Sequence, residues 1–183
     1  YARAADGRYY DIAKDIGLDK EEVGRGIATA DVDGDGDLDF VFANQWEPSF
    51  FYENQSVSKN GFLGLYVRHP VQASKEVLVY EGAPNQENPS SPAIDATVRF
   101  VRHDGMIMVG QVDGGNGHSG VRSPEVHFGL GRVDKEQVSD VEIRYRDRSG
   151  RAGHVTLKLK PGWHTILLPQ VDNAQKRPLE DTL

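Results

Sequence analysis

Nine residues, Asp31-Val32-Asp33-Gly34-Asp35-Gly36-Asp37-Leu38-Asp39, carry an aspartate at every second position. Five carboxylates packed this closely repel one another, so the segment resists compaction unless a cation sits among them. Calcium meets that need. It takes six to eight oxygen ligands at about 2.3–2.6 Å, from flexible loops that offer side chains at alternating positions with a backbone carbonyl between. The spacing makes Asp31, Asp33 and Asp35 side-chain ligands, Asp37 a backbone-carbonyl ligand and Asp39 the closing carboxylate. Gly34 and Gly36 permit the left-handed backbone of a tight loop. Magnesium fits less well, because it demands stricter octahedral geometry and gives up its waters reluctantly. An EF-hand is excluded, since its bidentate acid stands at position twelve between two helices. Here residues 26–30 and 38–43 are short, apolar and partly β-branched, and read as the two strands of a metal-binding hairpin.

The rest of the chain is patterned for strands. Residues 50–52, 63–67 and 77–80 are apolar runs. Ile94, Ala96, Val98 and Phe100 alternate with Asp95, Thr97, Arg99 and Val101, and Asp104-Gly105 turns the chain into 106–109. Val141, Ile143 and Tyr145, then Val155, Leu157 and Leu159, repeat the alternation, and Pro161-Gly162 leads into 163–168. One short helix is expected over 11–16, with Asp11 as its N-cap, and a loop over 82–92, where three prolines stand. The expected fold is all-β: a propeller-blade-like calcium-loop hairpin unit over 1–60, an antiparallel β-sandwich or barrel over 61–170, and a flexible tail over 171–183.

Composition narrows the function classes. The formal charge is −7, without a basic cluster, which argues against nucleic acid and anionic membrane surfaces. No apolar run approaches the roughly eighteen residues needed to span a bilayer. The absence of cysteine excludes a disulfide framework, thiol catalysis and zinc-thiolate sites. The chain begins at Tyr1 with no signal peptide in view, so an extracellular address would imply a processed or truncated piece.

Gly7-Arg8-Tyr9-Tyr10-Asp11-Ile12-Ala13, Gly17-Leu18 and Gly24-Arg25-Gly26 running into the aspartate loop resemble one FG-GAP/VCBS-type repeat, in that family a blade of a calcium-binding β-propeller. A single copy cannot close a propeller, which takes about four blades or more. Further on, Gly115-Asn116-Gly117, His127-Phe128-Gly129-Leu130-Gly131 and a strand pair around Ser149-Gly150 resemble the ASPIC/UnbV domain, which follows such repeats in the cartilage acidic protein family and its bacterial relatives. The sequence departs from that pattern at Asp95, where the family usually has glycine, and at Tyr145-Arg146, which replace Trp-Pro.

Segment 114–120 contains a literal G-x-G-x-x-G, but a strand-like stretch follows instead of the helix a dinucleotide site requires. Asp113, His118, Ser119, Glu125 and His127 crowd around it. Asp113, His118, Glu125 and His127 are the candidates if the chain is catalytic, and Glu125, His127 and His118 if it holds zinc. The simpler expectation is that His127 packs or hydrogen-bonds the turn and that His118 is solvated. His103, His154 and His164 are expected at the surface, and Trp46 and Trp163 as core or rim packing. The favoured reading is a calcium-binding, non-enzymatic module of an extracellular or cell-surface protein, serving adhesion or protein recognition. Its partner would be another protein or cell-surface ligand, or the missing propeller repeats of a longer chain. The alternative implied by the resemblance is an enzyme or accessory protein of natural-product (enediyne-type) biosynthesis, using the glycine-rich loop.

Overall fold

The computed structural model of the chain describes residues 1–56, 60–115 and 123–172. Strands β1 (Ala2–Arg3) and β2 (Tyr9–Tyr10) form a small ribbon. Strands β3 (Gly24–Ala30), β4 (Asp39–Asn44) and β5 (Phe50–Tyr52) form an antiparallel sheet in that order. The pair Ala30 and Asp39 closes the β3–β4 hairpin, so the aspartate loop is its tip.

Among the described residues nine further strands follow: β6 (Gly61–Pro70), β7 (Leu78–Glu81), β8 (Ser90–Pro92), β9 (Thr97–Val101), β10 (Ile107–Gln111), β11 (Val126–Gly131), β12 (Ser139–Arg146), β13 (Ala152–Leu159) and β14 (Gly162–Leu167). One sheet runs β10-β9-β12-β13; the other runs β11-β6-β14-β7, with β8 also paired to β6. Period-two alternation sends Leu63, Leu65 and Val67 of β6 and Val126, Phe128 and Leu130 of β11 into the core, where they join Val98 and Phe100 of β9 and Val141 and Ile143 of β12. The Phe100 and Phe128 rings meet edge-on at 5.1 Å. Each such buried side chain contributes about 1.5–3 kcal/mol, and the two sheets pack face to face as a sandwich.

The all-β expectation holds, and of the two forms left open, sandwich or barrel, none of the sheets among the described residues closes into a barrel. Several finer expectations need correction. Strand β14 pairs with β6 in parallel, so the sandwich is not wholly antiparallel. No helix forms over 11–16: Asp11 Oδ1 accepts the Ala13 N–H at 2.9 Å, and this side-chain turn competes with helical capping. The alternation from Ile94 does not begin a strand there, because Asp95 has φ 73°. That left-handed backbone suits glycine, and aspartate is among the few other residues that tolerate it. The proline-rich loop contains β8, an edge strand on β6. Trp46 is 87% exposed, with φ 67°, and packs in no core. His164 is buried rather than at the surface, with Nε2 hydrogen-bonded to the Lys160 carbonyl at 2.8 Å.

Asp147 locks the β12–β13 turn to the end of the sandwich. It is buried and accepts backbone N–H groups from Ser149, Arg151 and Val171 as well as the Arg151 Nε. Burial alone would push its carboxyl up, but these donors together outweigh it and hold the group below the ordinary carboxylate range. A depressed folded-state pKa gives stability that is present above the unfolded value near 3.9 and is lost as pH falls through the folded one. Asp147→Asn should therefore cost about 1–2 kcal/mol at pH 7 and lose less stability than the parent chain below pH ~4. Urea denaturation at pH 7 and pH 3 measures both.

Candidate metal centre

The aspartate loop folds on its own carboxylates. Asp31 Oδ1 accepts the Gly34 N–H at 2.8 Å and Oδ2 the Gly36 N–H at 2.9 Å. Asp33 Oδ1 takes the Asp35 N–H at 3.2 Å, and Asp35 Oδ1 the Asp37 N–H at 2.9 Å. Asp39, only 1% exposed, accepts Val32 N–H on Oδ2 at 2.9 Å and Asn54 N–H on Oδ1 at 2.8 Å, tying the loop to the chain beyond β5. Gly34 and Gly36 stand at φ 80° and 97°, as a loop this tight requires.

Asp31, Asp33 and Asp39 each bring one oxygen within 4.8 Å of the others, a separation compatible with shared coordination at about 2.3–2.6 Å. The Asp35 side chain is not part of that group, and among the described residues no other trio of potential ligands gathers this way. Two further observations fit a cation. Asp37 Oδ1 is buried without a hydrogen-bond partner. Among the described residues, no lysine, arginine or histidine forms an ion pair with any of the five carboxylates. Burial first, then the charge of Asp35, raises the Asp37 carboxyl above its ordinary value; a Ser56 hydrogen bond opposes this, and Asp39 and Asp33 add to the rise.

The loop rests on the sandwich. Alternation that turns Leu63, Leu65 and Phe128 inward turns Phe62, Gly64 and Tyr66 of β6, and His127 of β11, to the outer face of their sheet. Gly64 pairs with both His127 and Trp163. The Trp163 ring lies across Gly64, where a Cβ would stand 2.2 Å from it. Trp163 stacks on Tyr66 at 4.8 Å and Phe62 stacks on His127 at 5.3 Å, with Phe62 and Trp163 edge to face at 5.7 Å. Onto this aromatic platform comes the loop. Trp163 Nε1 donates to Asp31 Oδ2 at 2.6 Å, and His127 Nε2 donates to the Gly36 carbonyl at 2.8 Å. Burial, then the negative charges of Glu125 and Asp31, push the Tyr66 phenol up.

A family model for the FG-GAP repeat matches residues 23–59, and one for ASPIC and UnbV matches residues 85–175. The chain joins an FG-GAP repeat to an ASPIC/UnbV domain. No curated protein matches it. The repeat covers β3, β4, β5 and the aspartate loop, whereas β6 and β7, integral to the second sheet, precede the segment matched to ASPIC/UnbV.

Among the described residues, Asp113, Glu125 and His127 of the ASPIC/UnbV domain do not form a trio close enough to hold a metal ion. Asp113 Oδ1 accepts the Gly115 N–H at 3.0 Å, Glu125 accepts the Ser123 hydroxyl, and His127 faces Phe62 and Gly36. His118, Ser119, most of the glycine-rich segment and the tail from 173 lie outside the described residues. Sequence reading missed Phe62, and it took Trp163 for packing alone. Gly64 amid an apolar strand was the available signal, since glycine inside a strand marks the close approach of another group.

Proposed function

We propose that the chain is a calcium-binding, non-enzymatic recognition module of an extracellular or cell-surface protein. The convergence of Asp31, Asp33 and Asp39, with no basic partner among the described residues, carries this reading. FG-GAP repeats generally bind calcium and typically occur in extracellular or surface proteins. No helix of the described residues is long and apolar enough to cross a membrane. Asp31, Asp33 and Asp39 would hold the ion, with Asp35 and the Asp37 carbonyl as the remaining candidates; bound calcium would supply the charge that lets these carboxylates share one small volume. Titration calorimetry of the full chain should show saturable calcium binding at one site and much weaker magnesium binding. Absence of calcium binding overturns the proposal.

For the partner, the three-stranded sheet is the surface to test. Ile27 on one face and Val41 and Phe51 on the other are 55%, 42% and 51% exposed. Among the described residues, the outer edges of β3 and β5 pair with no strand. Apolar faces with free edges suit further repeats of the same kind or another β-rich protein. Trp46 projects from the adjoining β4–β5 turn, and tryptophan is a frequent anchor at protein interfaces.

A further inference from the structure

We infer that Trp163 and His127 are positioning residues of the cation loop, so that the ion filling it also fixes the FG-GAP repeat on the ASPIC/UnbV domain. The inference rests on the calcium reading above and deepens it. Trp163 lies 132 residues from Asp31 in sequence, yet its indole N–H is bonded to a carboxylate of the converging trio. Asp31 Oδ2 already takes the Gly36 N–H, so the Trp163 bond fixes the rotamer from outside the loop. His127 does the same for the backbone, holding the Gly36 carbonyl while Phe62 fills the space a side chain at 36 would need. The Trp163 ring is itself set by Gly64 beneath it and Tyr66 beside it.

Groups that hydrogen-bond a metal ligand orient it, and losing one typically lowers metal affinity about 10–100-fold. A loop held in its binding shape before the ion arrives also loses less conformational freedom on binding. By the same linkage, an ion that favours this loop shape strengthens the contacts the shape makes with the sandwich. The geometry thus couples occupancy at the hairpin tip to the docking of two units of the chain.

The experiment uses the full chain in a Trp46→Phe background, so that emission reports Trp163 alone, with calorimetry giving the calcium Kd. Trp163→Phe, which keeps an aromatic ring and loses the N–H, should bind calcium about tenfold more weakly. His127→Leu should weaken binding comparably, while His127→Gln, which retains an N–H donor, should stay near the parent. Calcium should shift Trp163 emission in the parent, and Asp33→Ala should abolish the shift. If the parent binds calcium but Trp163→Phe and His127→Leu bind as tightly, and emission does not change, the coupling is overturned while the calcium site stands. If the parent takes up no calcium at all, both fall.

Discussion

Calcium at a hundred times its Kd should raise the melting temperature of this chain by roughly 5–10 °C. Ligand binding to the folded state at that excess adds about 2.7 kcal/mol, and each kcal/mol shifts a chain of about 150–250 residues by roughly 2–4 °C; this one has 183. Asp33→Ala with Asp35→Ala should abolish the increment and leave the metal-free melting curve nearly in place. The reason is local. Asp33 and Asp35 are exposed, and among the described residues their side chains bond only to N–H groups within the loop. Asp39 would be a poor choice for this test, because it is buried and holds Val32 and Asn54; its removal destabilises the hairpin with or without an ion. Superimposable melting curves in calcium and in chelator would reject the proposed role of the loop.

Gly36→Ala should cost about 2–4 kcal/mol, and Gly34→Ala only about 1–2 kcal/mol. Both glycines sit at positive φ, where a Cβ is strained. At Gly34 nothing lies within 4 Å of the added carbon, whereas at Gly36 it would meet the Phe62 ring at 2.0 Å. The excess at Gly36 is therefore a packing cost, and it belongs to the contact between repeat and sandwich. Denaturant unfolding of both variants measures the difference. Phe62→Ala combined with Gly36→Ala should recover part of the loss, a coupling that a double-mutant cycle isolates. Equal costs at the two glycines would mean that the loop does not lean on Phe62 in solution.

What the sequence made legible was local. The spacing of five aspartates located the loop, and the apolar runs beside it became β3 and β4. The alternation through Val141 and Ile143 became β12, with those side chains fully buried. What stayed hidden depends on contacts between distant segments. Nothing near Trp163 in sequence distinguishes an indole that bonds Asp31 from one that fills a core. The parallel pairing of β14 with β6 was equally invisible, because alternation reports which face a side chain takes and not which strand lies alongside. The region around Asp11 failed for another reason. Its pattern suits either a helix cap or a side-chain turn, and over so few residues helix nucleation has little to recommend it.

Strand β14 lies between β6 and β7, and its pairing Gly162 with Leu63 joins positions about a hundred residues apart. During synthesis the aspartate hairpin can close as soon as β4 emerges, while the surface that receives it must wait until β14 has been made. Pairings of such long range form slowly. A nascent chain would thus display its acidic tip, able to meet an ion, well before it has anywhere to seat it.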